Sequence, residues 1–466
     1  MKVLLVNTPT PENISNKEYY LPLGILYIAG VSDSMGLETK ILDCNIYDFY
    51  KIGNQTELSV ELLKKTIIDF RPDVVGIGCL FSGQFPDVIE LSSAVKDIDK
   101  SIQVVIGGMH PTLYAKDILK NCSYIDWVVV GEGEETFESI LIKLMGFDTD
   151  MSSVGGIAYR NGTELIVNNQ KQYADVDTMA RPAYHLIDMK DYYHDTSKWH
   201  NPRNLSINAS LPILTSRSCP MKCNFCSMFL VMGPRLRIRS SQLVVDELQF
   251  LYDEYNHRHF SIMDDNFTLN RKHAIEICNE IVKRNLKIQI ETPNGIYVSS
   301  LNEEVLDAFV EAGLIRISLA IESGSEYIRS AMRKHLKQDK IYEVVNLTKK
   351  YKDLYTRAFF IMGMPEETRD TLDETYQMII DIDVDKPIVS NLLPFPGTEL
   401  FKQCVRDNLL TDEIDMNNLW SMSDFNFTDN KKFFIKPYGM SLDELKEYRD
   451  KFDVLITESI LRKQNS

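Results

Sequence analysis

The sequence predicts an α/β protein built from two successive sets of parallel strands, and three observations carry that expectation. Short apolar runs alternate with amphipathic helical patterns over residues 1–146 and again over 206–400. The runs are nearly continuous and stop at glycine or a polar residue, as strands buried on both faces do. With 466 residues, 44% hydrophobic and 25% charged, the chain has room for two to four such cores.

The first run supplies KVLLVN, ETKILD, DVVGIGCL, QVVIGG and WVVVGEG, separated by helical patterns such as ELSVELLKKTIIDF and DVIELSSAVKDI. Five parallel strands with crossover helices make a doubly wound, flavodoxin- or Rossmann-like sheet, whose ligand crevice lies beyond the strand carboxyl ends. Those ends carry Gly76 and Gly78 before Ser82, Gly107 and Gly108 before His110, and Gly131, Glu132 and Gly133. Small residues at three successive strand ends let the backbone approach a bulky ligand. Gly78, Ser82, Gly107, Gly108, His110, Gly131 and Glu132 are therefore the candidates for this crevice.

Over 147–205 the periodicity fails. MARPAYHLIDMKDYYHDTSKWHNPRN mixes Pro, His, aromatics and Asp, which predicts an irregular connector. The second run then offers six strands, PILTSRS, HFSIMD, KIQIET, RISLAIE, TRAFFIMG and KPIVSNLLP. Six βα units suggest a partial (β/α)6 TIM-like barrel, although periodicity alone also allows a second open sheet. Residues 401–466, with Trp420, Tyr438 and FNFTDNKKFF, read as a small, mainly helical region completing a pocket wall. It ends in the amphipathic SLDELKEYRDKFDVLITESILRK, a candidate cap or dimer helix.

Composition narrows the partners. The net charge is -16 and the basic residues are dispersed, which disfavours nucleic acid and anionic membrane surfaces. The apolar run at the start is too short for a signal segment, and no stretch approaches a membrane span. A cytoplasmic protein with a small-molecule or peptide partner is expected. Eight cysteines, five of them scattered, do not make a disulfide framework.

The other three, Cys219, Cys223 and Cys226, fall within SCPMKCNFCS, in a loop after the first strand of the second run. A structural zinc site commonly draws four ligands from two separated knuckles, and no second Cys-x-x-Cys follows; His257 and His259 lack knuckle spacing. Three thiolates from one loop also suit an iron–sulfur cube with one iron left open. On residues alone, both centres stay possible.

CPMKCNFC resembles the Cys-x3-Cys-x2-Cys loop of the radical S-adenosylmethionine enzymes, including an aromatic, Phe225, before the last cysteine. The resemblance implies a [4Fe-4S] cluster at the top of a partial barrel, with the open iron chelating S-adenosylmethionine. One-electron cleavage would then yield a 5'-deoxyadenosyl radical. It further implies that S-adenosylmethionine meets Asp264 and Asp265 in SIMDDNF, Glu291 in IET, Glu322 and Ser323 in LAIESGSE, Arg333 in AMRK and Gly363 in FIMGMPEET. No catalytic residue beyond the cluster ligands is assigned.

The first domain, with PLGILYIAGVSDSMG, IGGMHPT and VVVGEGEETF, resembles the cobalamin-binding domain of cobalamin-dependent radical S-adenosylmethionine enzymes. The Asp-x-His-x-x-Gly loop of many corrinoid proteins has no counterpart, because NTPTPENISNKEYY contains no His. The resemblance thus implies a nucleotide tail along the glycine-lined crevice, no lower cobalt ligand from this loop, and a polar contact from His110. It implies an external flavodoxin- or ferredoxin-like electron donor. The activity implied is methyl transfer to an unactivated carbon or phosphorus; cyclisation or ring rearrangement without methyl transfer is the alternative, and a corrinoid sensor a minor one. Arg235, Arg237 and Arg239 in GPRLRIRSS form either a solvated edge or a contact for an anionic substrate group.

Overall fold

A computed structural model describes residues 1–10, 20–47, 55–170, 172–422 and 431–464. Most of the His-free loop after the first strand and most of FNFTDNKKFF lie outside them. The chain divides into two compact units. One comprises 1–193 with 230–233 and 415–426, and the other 194–229, 234–414 and 427–466.

In the first unit, β1 (Lys2–Asn7), β2 (Glu38–Asp43), β3 (Val74–Gly78), β4 (Gln103–Gly107) and β5 (Trp127–Val129) are parallel, in the order β2-β1-β3-β4-β5. Along β1, Leu4 and Val6 enter one apolar core while Val3 and Leu5 enter the other. That split is the period-two alternation of a strand covered on both faces. The order reverses between β1 and β3, which sets a crevice at their carboxyl ends.

The sheet has seven strands, not five. Antiparallel β6 (Ile157–Asn161) and β7 (Glu164–Asn168) extend it beyond β5. They lie inside 147–205, so the expected irregular connector is in part a β-hairpin. Asn161–Gly162 between two alternating runs is its signal, and Gly162 has φ +61°. Arg160 fastens it by donating to the carbonyls of Ile125 and Cys122, each at 2.6 Å.

In the second unit, β8 (Leu211–Ile213) leads into a two-stranded ribbon of β9 (Ser216–Arg217) and β10 (Arg237–Ile238) that brackets the cysteine loop. Then β11 (His259–Ile262), β12 (Gln289–Tyr297), β13 (Leu314–Glu322), β14 (Tyr355–Met362) and β15 (Lys386–Asn391) join β8 in one parallel sheet, laid down in sequence order. Right-handed crossovers that always step the same way put every helix on one face, and the sheet curls into a partial barrel. The C-terminal helix Leu442–Gln464 packs on β15, with Arg449 Nη1 donating to the Val389 carbonyl at 2.7 Å. Among the described residues no helix is long and apolar enough to cross a membrane.

Candidate active site

The cysteine loop follows the carboxyl end of β8 and turns through two residues with positive φ, Ser218 at +71° and Lys222 at +51°. Asn224 anchors it. Its backbone N–H donates to the Met332 carbonyl at 3.1 Å, its side chain donates to Ala331 at 2.9 Å, and its own carbonyl accepts from Leu400. Phe225 packs into an apolar cluster with Met332, Met364 and Leu400. The backbone is therefore held from two sides while the cysteines remain free thiols, each half-buried.

Burial pushes all three thiols up, Cys226 to about 12, and each of Cys223 and Cys226 feels its neighbours in the trio. Yet among the described residues no three His, Cys, Asp or Glu groups are gathered tightly enough to hold a single metal ion. Three neighbouring thiols in one loop match the three corners that a protein supplies to an iron–sulfur cube with one iron left open.

Charged groups stand around the thiols. Asp265 acts on Cys219 and Cys226, Glu322 on Cys223, and Lys334 on Cys219 and Cys223. Lys334 and Glu322 are both buried and paired at 2.5 Å. Lys334 was not marked by the sequence, which pointed to its neighbour Arg333; the structure leaves Arg333 exposed, with φ +58°, and turns Lys334 inward. The signal was the dipeptide itself, since a turn presents adjacent side chains oppositely.

Two more expected contacts are occupied by the protein. Asp264 accepts from the Thr215 N–H at 2.7 Å and from the Thr215 and Ser216 hydroxyls at 2.5 Å, so it braces the strand-to-ribbon turn. Burial raises its carboxyl despite those bonds. Ser323 Oγ accepts from the Ser325 N–H at 3.1 Å and lies 3.2 Å from Thr375 Oγ1. Gly363, by contrast, has φ +97° and open space where a Cβ would stand. Its N–H and that of Met364 donate to buried Glu367, at 2.9 and 3.2 Å, and burial raises the Glu367 carboxyl to about 7.

Glu291 is not at a strand end. The Pro293-Asn294-Gly295 turn signal reads as the strand's close, but β12 runs on to Tyr297 through a register shift between Thr292 and Ile296. Glu291 therefore sits at the amino-terminal end of the barrel, away from the cysteine loop. There its carboxylate accepts from Ser261 Oγ at 2.6 Å and Arg316 Nη1 at 2.7 Å. Burial alone raises this carboxyl, but Arg316, then His259, outweigh it and hold it below the ordinary range.

In the first unit the glycine ends are built for close approach. A Cβ on Gly108, φ +122°, would stand 2.2 Å from the Cys79 carbonyl oxygen, and one on Gly131, φ +89°, 2.3 Å from Gln170 Oε1. The Gly131 N–H donates to Thr112 Oγ1 at 2.9 Å and the Glu132 N–H to Gln170 Oε1 at 2.8 Å, with Glu132 buried. At Gly76, Gly78, Gly107 and Gly133 apolar side chains pack close over the glycine strip: Leu5 and Phe137 over Gly76, Ile25 over Gly78, Val129 over Gly107 and Ile28 over Gly133. A glycine-rich strip with apolar neighbours suits the base and tail of a corrinoid.

His110 does not face that strip. Its Nδ1 lies 2.9 Å from Ser82 Oγ and its Nε2 2.9 Å from the Trp420 carbonyl, among Phe85, Tyr114 and Trp420. A carbonyl only accepts, so Nε2 carries the proton and Nδ1 accepts from Ser82. Both nitrogens and the Ser82 hydroxyl are thus committed within the protein, and burial lowers the imidazole to about 4.

Comparison with known proteins matches this layout. The B12 binding domain model matches residues 13–141, and the radical SAM superfamily model 213–379. An uncharacterized methyltransferase of Pyrococcus horikoshii is 31% identical over 413 residues, covering 88% of this chain and 84% of its own. The anaerobic magnesium-protoporphyrin IX monomethyl ester cyclase of Cereibacter sphaeroides is 27% identical, over 91% of this chain and 65% of its own. The radical S-adenosylmethionine methyltransferase TsrM of Kitasatospora setae, solved with cobalamin and a [4Fe-4S] cluster, shares the fold with a TM-score of 0.69 at 17% identity, over 87% of this chain and 75% of its own. The chain belongs to the cobalamin-dependent radical S-adenosylmethionine enzymes. It is an enzyme whose cofactors are cobalamin, a [4Fe-4S] cluster and S-adenosylmethionine.

Proposed function

We propose that this enzyme transfers a methyl group from S-adenosylmethionine, by way of cobalamin, to an unactivated carbon or phosphorus of a small metabolite or peptide. The observation that carries the reading is the 31% identity to a methyltransferase along 84% of its length. When bound, the cluster and S-adenosylmethionine supply hydrogen abstraction and cobalamin supplies the methyl group.

The chain's part is positioning. Cys219, Cys223 and Cys226 hold the cluster, and Asn224 fixes their loop. Asp265 complements the methionine ammonium, while Lys334, steered by Glu322, complements its carboxylate. Gly363, held open by Glu367, admits the adenine against Phe225. In the first unit Gly78, Gly107, Gly108, Gly131 and Glu132 hold the cobalamin. The electron comes from an external flavodoxin- or ferredoxin-like donor, and the enzyme works in the cytoplasm.

Methyl-deuterated S-adenosylmethionine, added with a strong reductant to reconstituted enzyme in an anaerobic small-molecule extract, tests this. The expected result is a deuteriomethylated metabolite with 5'-deoxyadenosine and S-adenosylhomocysteine, with the labelled metabolite and the deoxyadenosine lost in the Cys219/Cys223/Cys226→Ala variant. Deoxyadenosine without S-adenosylhomocysteine or label would replace this reading by cyclisation, with which the 27% identity to the cyclase is compatible. Neither product would refute both.

A further inference from the structure

The lumen of the barrel carries charge that the cluster and its neighbours do not use. Along β14, Tyr355, Arg357, Phe359 and Ile361 are partly accessible while Thr356, Ala358, Phe360 and Met362 are buried. The helices cover one face, so the accessible set lines the lumen. Strand register places Arg316 and Ser318 of β13 beside Tyr355 and Arg357, and Ile388 of β15 beside Phe359. The wall is therefore graded, apolar at Phe359, Ile361 and Ile388 toward the carboxyl end and cationic at Arg316 and Arg357 toward the amino end.

That amino end is closed by the stretch 199–203. Trp199 meets His259 edge-on at 5.5 Å between ring centroids, and Asn201 Oδ1 accepts from Gln289 at 2.8 Å. His200 Nε2 donates to the Asp353 carbonyl at 2.7 Å, and Arg203 donates to the Ile288 and Val310 carbonyls at 3.2 and 2.7 Å. The stretch 199–203 thus covers the amino end, opposite the strand carboxyl ends where the cysteine loop stands.

At the floor two guanidinium groups act on one carboxylate, Glu291. Asp385, on the neighbouring strand approach, accepts from the Thr356 N–H at 2.7 Å. Arg316 spends Nη1 on Glu291, and its buried Nε has no hydrogen-bond partner. His259 is 1% exposed, and neither ring nitrogen has a hydrogen-bond partner, although Nε2 stands 3.9 Å from Glu291 Oε1. Arg357 Nε donates to Ser318 Oγ at 3.0 Å, and its guanidinium carbon stands 5.9 Å from the centroid of the lumen-facing Phe359 ring. Buried polar groups left over in such numbers mark a place where a polar guest completes the bonding.

We propose that this floor binds an anionic group of the substrate. The inference rests on the reading of the chain as an enzyme of small molecules, and it names the class: a metabolite with a phosphate, phosphonate or carboxylate at one end and an apolar middle. Arg357 and Gly363 are six positions apart, about 20 Å of extended chain. An elongated substrate anchored by Arg316 and Arg357 would therefore pass Phe359 and Ile388 and present its far end beside the cysteine loop.

Binding, rather than turnover, tests the idea independently of methyl transfer. Hexylphosphonate, hexanoate and neutral hexanol are titrated calorimetrically into the full-length reconstituted enzyme, without reductant. At least one anion should bind saturably and hexanol at least tenfold more weakly, the tighter anion naming the group. Arg357→Gln should weaken that binding at least tenfold and Arg357→Lys less. Ile388→Glu, which sets a like charge on the lumen wall and leaves the floor network intact, should abolish it and serves if Arg357→Gln does not fold. No saturable binding, equal binding of hexanol, or unchanged binding in Ile388→Glu would overturn the proposal.

Discussion

The two sheets are made from the same βα repeat and differ in the order in which their strands are laid. In the first, the order reverses between β1 and β3, helices cover both faces, and strands such as β3 are buried up to the glycine that ends them. In the second, strands follow one another without reversal, helices cover one face, and β14 alternates between buried and accessible. Reversal yields a crevice walled by glycine backbone; its absence yields a lumen walled by side chains. A sheet that must receive a large rigid cofactor removes side chains, whereas one that must recognise and react presents them.

The sharpest way to separate the two is to remove the centre from one. Cys219/Cys223/Cys226→Ser should lose all bound iron and the visible absorbance of the cluster, with complete loss of deoxyadenosine formation. Cobalamin binding, followed by its own spectrum, should persist; loss of cobalamin as well would break the division of labour.

Next in size is the lumen floor. Arg316→Met leaves the Glu291 carboxylate buried with only hydroxyl donors, and should cost about 3 kcal/mol in denaturant unfolding. An effect below about 1 kcal/mol would mean that the Glu291 carboxylate is satisfied without this arginine.

Glycines test the walls. Gly108→Ala drives a Cβ to 2.2 Å from a carbonyl oxygen at φ +122°, and should cost about 2 kcal/mol or more. Gly363→Ala meets nothing within 4 Å and bears only the penalty of φ +97°, about 1 kcal/mol. Equal losses, measured by thermal melting, would contradict the contrast between a backbone-walled and an open site.

The smallest effect is one of pH. The His110 imidazole titrates at about 4 in the fold against 6.5 ordinarily. Between those values the unfolded chain binds the proton and the folded one does not, so stability is intact above 6.5 and falls as pH drops toward 4. The first unit should lose about 1 kcal/mol between pH 7 and 5.5, a slope flattened in His110→Gln. Glu367, raised to about 7 by burial, has the opposite sign: its contribution is full below 4.5 and is lost as pH rises through about 7. Glu367→Gln should therefore flatten the loss on the alkaline side of the second unit's melting profile.

What the sequence alone determined is what local chemistry repeats along the chain. Nearly continuous apolar runs between helical patterns marked all five parallel strands of the first sheet and all six of the second, and three cysteines in eight residues marked the candidate cluster loop. Tertiary structure decided where individual polar side chains point. Pro293-Asn294-Gly295 ended a strand on paper, but neighbouring strands held it as a bulge, and Glu291 moved to the barrel floor. Lys334 rather than Arg333 turned toward the thiols because a positive-φ residue precedes it. His110 met Ser82 and the Trp420 carbonyl, the latter 310 residues away, instead of the glycine strip. A hydrogen bond between distant residues leaves no periodic trace, and only the packed chain reveals which of several polar groups has already found its partner.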